Sequence, residues 1–257
     1  PRSTLFPYTT LFRSLDCCAR GQITQFDGHD AARKVALAVV ALESRECAHT
    51  DLASGNLIVN VDAQRGALRD LQMIDLEEMF FSDAPRPRDE EINAGTEGYR
   101  HPSLSAGAEL WRPEADRFAL AVLMLEMILA GTGYVRARRR IDDESKSLFG
   151  QACWNNGDAS REVHRAIDEL PDAFKPFGML FLQSLRSATL RECPRARDLR
   201  ASLERETGLS LEGYVPGWLR GDGPPTWPTV RVTRAGDSGP WTVTLDPRGD
   251  SRGCRFT

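Results

Sequence analysis

The sequence predicts a mainly α, α+β fold, and three observations carry that reading. Five stretches between Asp30 and Glu206 read as helical, the first of them with apolar residues at helical spacing from Asp30 to Glu46. Two short β-forming runs, Leu57-Ile58-Val59 and Leu71-Gln72-Met73-Ile74, flank a turn at Asp62-Ala63-Gln64-Arg65-Gly66. Near the C-terminus, Val230, Val232, Trp241, Val243 and Leu245 alternate around Ala235-Gly236-Asp237-Ser238-Gly239.

In chain order, Leu15 to Gly28 is ambiguous. From Asp30 to Glu46, Ala32, Val35, Ala36, Ala38, Val39 and Leu42 form one apolar stripe, with Arg33, Lys34, Glu43 and Arg45 elsewhere on the helix. His49-Thr50-Asp51-Leu52-Ala53-Ser54-Gly55-Asn56 follows as a loop, and the two short runs after it pair as a hairpin. Asp75 to Pro102 contains Pro85, Pro87 and the acidic run Asp89-Glu90-Glu91 and has little period, as a mobile segment would. Helices are expected over Arg117 to Ala130, Glu162 to Leu170, Phe174 to Arg186 and Ala196 to Glu206, and Asp116 is placed to cap the first of these. Gly213 to Pro228, rich in Gly, Pro and Trp, reads as a linker or docking strap. Two strands alone are marginal in water. The final hairpin is therefore either an extension packed on the helical part or the beginning of a second domain.

Composition narrows the function. A chain of 257 residues, 41% hydrophobic and 27% charged, can bury one sizeable core. A net charge of −4 gives no general reason to expect nucleic acid or an anionic membrane as partner. The basic run Val135-Arg136-Ala137-Arg138-Arg139-Arg140 reads as a solvated loop face, with docking of an acidic peptide as the alternative. Six cysteines, Cys17, Cys18, Cys47, Cys153, Cys193 and Cys254, show neither C-x-x-C pairs nor zinc spacing and read as reduced thiols. The longest apolar run, Phe118 to Ala130, is interrupted by Glu126 and is too short to span a bilayer. With no secretory signal visible, a cytoplasmic location is expected.

The chemistry is concentrated at Asp51, Asn56 and Asp75. An Asp and an Asn five positions apart, with a second Asp returned beside the Asn by a hairpin, suit in-line phosphoryl transfer. One carboxylate accepts the proton of the attacking hydroxyl, and hard oxygens hold the Mg²⁺ that neutralises the phosphates. Here the sequence resembles the protein kinases, bacterial serine/threonine kinases in particular. His49, Asp51 and Asn56 match the catalytic loop H-R-D-x-x-x-x-N, and Asp75 matches the first residue of D-F-G. Gly95-Thr96-Glu97-Gly98-Tyr99-Arg100-His101-Pro102 is similar to the G-T-x-x-Y-x-A-P end of an activation segment. Glu114 to Val122 resembles the opening of the central helix of the C-terminal lobe, and Pro194-Arg195-Ala196-Arg197 the D-P-x-x-R box.

The resemblance implies a kinase-like C-terminal lobe over residues 15–208, a linker over 209–229 and a separate hairpin over 230–257. It further implies ATP and Mg²⁺ as cofactors, a protein substrate, Asp51 as base, and Asn56 and Asp75 as metal and nucleotide-phosphate ligands. Thr96 and Tyr99 would frame the place where the substrate docks, and Asp116 would brace the backbone of the catalytic loop. Alternatives are a pseudokinase scaffold or a small-molecule phosphotransferase, although the latter does not account for Gly95 to Pro102.

Departures from the family pattern qualify this. Thr50 replaces the Arg before the catalytic Asp, so activation through a phosphorylated loop by that Arg is not expected. Ala53 stands where a phosphate-contacting Lys is usual, which removes one cation from the transition state. Glu77 replaces the Gly of D-F-G and its backbone freedom. Ser103 replaces the Glu of A-P-E, leaving Arg197 to find Glu109 or Glu114 instead. No Gly-rich phosphate loop or V-A-I-K lysine is found before Asp51. Thr4 to Ser14 matches the translation of a common sequencing adapter, so residues 1–14 are expected to be an artefact and the N-terminal lobe to be missing. By that expectation the chain alone has no kinase activity.

Overall fold

The computed structural model describes residues 9–10, 15, 26–61, 68–104, 107–132, 134, 147–154, 159–207, 229–234 and 241–246. The chain separates into two compact units, Pro1–Thr207 and Gly208–Thr257. The described residues are mainly helical, with short antiparallel sheets, an α+β arrangement.

Helix α1, Gly28–Glu43, starts two residues earlier than its apolar period suggests because the Asp27 side chain accepts from the Asp30 N–H at 2.9 Å. It stops at Glu43, where the chain turns through Glu46 at φ 53°. Ala31, Ala32, Val35, Ala36 and Val39 are buried, while Ala38 and Leu42 lie at the edge of the stripe. Arg33 and Lys34 reach the Asp30 carboxylate at 2.7 and 2.9 Å. Burial pushes that carboxyl up, but the two cations outweigh it and hold it below the usual range.

Helix α2, Asp116–Thr132, is the spine of the larger unit, buried on every side from Phe118 to Ala130. It crosses α1 at very short range. A Cβ on Gly28 would lie 1.7 Å from the Met127 carbonyl oxygen, and one on Gly131 would lie 3.1 Å from that of Phe26. Glycine at these two positions lets the helices meet backbone to backbone. Helices α3 (Arg161–Asp168), α4 (Lys175–Arg186) and α5 (Ala196–Thr207) complete the helical layer. Ser160 caps α3 through the Val163 N–H, and Lys175 donates to the carbonyls of Ile167 and Asp168 at its end. Trp154, Phe118 and Phe181 pack edge to face in the centre.

Three short strands form one antiparallel sheet in the order β1-β3-β4: β1, Thr9–Thr10; β3, Leu57–Val61; and β4, Leu68–Met73. Strand β4 begins three residues before the expected Leu71, and the expected turn at Asp62 to Gly66 lies outside the described residues. The pairing of β1 with Ile58 and Val59 comes from the stretch that resembles adapter sequence. A second pair joins β2 (Cys47–Ala48) to β5 (Phe80–Phe81), an element the aperiodic 75–102 stretch did not announce. In the smaller unit, β6 (Thr229–Arg234) and β7 (Trp241–Asp246) pair with Val232 opposite Val243.

The basic run at 135–140 lies outside the described residues. Arg197 does not turn inward to Glu109 or Glu114. Its side chain is 61% exposed, 3.8 Å from Asp198. The internal tie near this point is instead Glu43, which pairs with Arg117 and accepts from the Ala196 N–H at the start of α5. Cys47, Cys153 and Cys193 are free thiols, and burial pushes that of Cys193 up to about 11. Among the described residues no helix is long and apolar enough to cross a membrane.

Candidate active site

The loop from His49 to Asn56 is fixed from below by one buried carboxylate. Asp116 Oδ2 accepts from the His49 N–H at 2.6 Å, and its Oδ1 accepts from the Thr50 N–H at 3.0 Å. Asp116 therefore satisfies two buried backbone donors across 67 residues of sequence rather than capping its own helix. Burial raises its carboxyl pKa, against the pull of those N–H groups. The His49 ring meets the Ile74 carbonyl at 2.8 Å. Thr50 holds φ 68°, a left-handed conformation costly for a β-branched residue, and donates its hydroxyl to the Glu78 carbonyl at 2.9 Å. The loop is thus tied to the segment that follows Asp75.

Asp51 receives hydrogen bonds on both carboxylate oxygens. Thr96 donates its N–H at 2.6 Å and its hydroxyl at 2.8 Å to Oδ1, and Asn56 Nδ2 donates to Oδ2 at 3.1 Å. The same amide nitrogen donates to the Asp51 carbonyl at 2.8 Å. Because both neighbours are acceptors, the amide orientation is settled by chemistry, and the Asn56 side-chain oxygen points away from Asp51. The β3–β4 register, Leu57 opposite Met73, carries Ile74 back to the Asn56 carbonyl at 3.0 Å. Asp75 follows at once, exposed and with φ 65°. The positive φ falls on Asp75, not on Glu77, so the Gly-to-Glu departure there brings no backbone strain.

The expected site residues therefore divide. Asp51, Asn56 and Thr96 are directly hydrogen-bonded, and Asp75 is placed beside Asn56 by the hairpin. Tyr99 is buried, at 4% exposure, and donates its hydroxyl to Glu126 Oε2 at 2.7 Å. Glu126 Oε1 accepts from the Ser147 hydroxyl at 2.8 Å and the Leu148 N–H at 2.6 Å. Complete burial pushes the Glu126 carboxyl up to about 7, although all three donors pull it down. Burial, then the charge of Glu126, pushes the Tyr99 phenol well above its ordinary value. Gln151 closes the other side, accepting from the Gly98 N–H and donating to the Arg100 carbonyl, each at 2.9 Å. In the sequence Glu126 stands only as an interruption of an apolar run. A lone acid in an otherwise apolar helix is in fact a signal, since burying it requires partners.

The donor set suits a hard cation in kind: a free Asn carbonyl oxygen and an exposed Asp carboxylate, adjacent through backbone pairing. Among the described residues no group of three His, Cys, Asp or Glu side chains gathers to hold a metal. A small cavity of about 10 Å³ lies beside Asp51 and Thr96, lined also by Arg100, His101, Leu104 and Leu110. Comparison with protein-family models finds no family that matches the chain. Comparison with curated proteins finds no match either.

Proposed function

We propose that the chain carries the catalytic loop of an ATP- and Mg²⁺-dependent kinase that phosphorylates serine or threonine of a protein substrate. The observation that carries this reading is the Asp51 carboxylate, held between Asn56 and Thr96. A base must be aimed before it can accept a proton from a substrate hydroxyl, and these bonds aim it. Thr96 also closes the segment that would meet the substrate against the base, so both are positioned by one contact.

Asn56 and Asp75 are the residues that would hold Mg²⁺. When bound, the cation neutralises charge on the phosphates of ATP. The chain's own part is to keep the Asn56 oxygen turned outward and to return Asp75 beside it through the hairpin. His49 and Thr50 contribute by fixing the loop to Asp116 and to the segment beyond Asp75.

The test is phosphotransfer from labelled ATP by protein expressed from the complete gene, with Asp51→Asn as the variant. We expect a fall in kcat of about 10²–10⁴-fold, the range for loss of a positioned base. Unchanged transfer by Asp51→Asn refutes the assignment. A scaffold without transfer is the second reading, favoured by Ala53, which is buried and brings no cation to the Asp51–Thr96 contact. Absence of a Mg²⁺-dependent shift in melting temperature with ATP would select it.

A further inference from the structure

Three distant parts of the chain meet at the Tyr99 hydroxyl. It donates to Glu126 Oε2 on α2 at 2.7 Å, and its oxygen accepts from both the hydroxyl and the backbone N–H of Ser54. A phenol has one proton to give and lone pairs to receive, so these bonds use what it offers. Ser54 is fully buried and opens the short helical turn Ser54–Asn56, whose last residue is assigned above to Mg²⁺.

That turn needs outside support. It closes on the Asn56 N–H, which donates to the Ala53 carbonyl at 3.0 Å, and Ala53 brings no side-chain cap. A single turn of this kind fixes several dihedrals for one internal bond, and its first N–H groups find no partner within it. The buried Ser54 N–H must be met from elsewhere, and Tyr99 meets it. Behind the phenol, the Ser147 hydroxyl and the Leu148 N–H hold the Glu126 carboxyl at 2.8 and 2.6 Å. The acceptor that the turn relies on is therefore itself fixed in place.

We propose that Tyr99 is a positioning residue for Asn56: through Ser54 its hydroxyl holds the turn that keeps the Asn56 oxygen facing outward. This rests on the phosphotransfer reading of the same site. The resemblance gave Tyr99 a place beside the substrate, but at 4% exposure it faces the core. Thr96 and Tyr99 thus divide one loop between them. Thr96 touches the base, and Tyr99 supports the turn that follows it.

The experiment has two readouts. In the 257-residue chain, Tyr99→Phe keeps the ring and removes the acceptor, and hydrogen exchange over residues 53–57 should quicken about tenfold while that of α3 stays unchanged. In protein from the complete gene, the same variant should raise the KM for Mg·ATP about tenfold and leave the KM for a serine peptide unchanged. Ser54→Ala, which removes only one of the two donors, should raise the KM for Mg·ATP about threefold, and should add nothing to Tyr99→Phe in the double variant. Unchanged exchange over 53–57 in Tyr99→Phe overturns the proposal, and so does exchange that quickens equally in α3. A KM that rises alike for Mg·ATP and peptide also overturns it. Where Tyr99→Phe does not fold, an unchanged KM for Mg·ATP in Ser54→Ala does the same. Failure of the base assignment appears separately, as unchanged transfer by Asp51→Asn.

Discussion

Glu126→Gln should change the pH dependence of stability in a way that isolates one buried carboxyl. Burial moves the Glu126 pKa from its ordinary 4.5 to about 7 in the folded chain. Between those values the folded state holds a proton that the unfolded state has released, so stability falls as pH rises through this window. At about 1.4 kcal/mol per pH unit, the loss is about 3 kcal/mol by neutral pH, with no discount for solvent because the side chain is fully buried. Glutamine reproduces the protonated form, with its oxygen toward Leu148 N–H and Ser147 and its amide N–H toward the Tyr99 oxygen. His101 works in the opposite sense: burial lowers its pKa, so its contribution is present above the unfolded value and is lost on acidification. Both chains carry His101, so it cancels in the difference. The assay is urea unfolding of the two proteins from about pH 4.5 to pH 8, compared at each pH. The expected result is that Glu126→Gln gains about 3 kcal/mol over the unaltered chain across that range. A difference that stays flat with pH would show that Glu126 ionises normally and would refute the reasoning.

Two further substitutions probe the frame on which the site rests. Asp116→Ala strips the acceptor from two backbone N–H groups, those of His49 and Thr50, and should cost about 3 kcal/mol in urea unfolding, since each orphaned buried donor costs about 1–3 kcal/mol. Gly28→Ala should cost about 3 kcal/mol although helix propensity favours alanine, because the new methyl would strike the Met127 carbonyl and force α1 off α2. Urea midpoints check this, and Gly131→Ala, with its nearest contact at 3.1 Å, should lose distinctly less.

How much of this was legible in sequence depends on whether the cause is local. The helices were, because α1, α3 and α4 each show one apolar face, and the ends that moved were set by single side chains such as Asp27 and Ser160. The β3–β4 pairing and the juxtaposition of Asn56 with Asp75 were legible because a hairpin converts sequence order directly into proximity. The β2–β5 pair was not, since two-residue strands separated by more than thirty residues leave no period to read. Nor was the Gln151 clamp, whose amide serves two backbone groups some fifty residues away. The expected partner for Arg197 failed for the opposite reason. The motif usually supplies one, but in this chain the Arg lies exposed and Glu43 ties helices α1, α2 and α5 together instead.

Helix α2 explains why the site holds together at all. Its two buried acids, Asp116 and Glu126, stand ten residues apart, about 15 Å along the axis and on adjacent rather than identical faces. One grips the backbone on the N-terminal side of Asp51, and the other grips the tyrosine three residues beyond Thr96. The two loops that meet at the Asp51–Thr96 contact are therefore referenced to a single rigid rod. Helix α2 is buried on every side from Phe118 to Ala130, so an acid within it must find its partners in the protein. Each acid is costly to bury, yet each is satisfied by groups from distant segments. The cost of burying them is thus coupled to the placement of the base and of the segment that faces it.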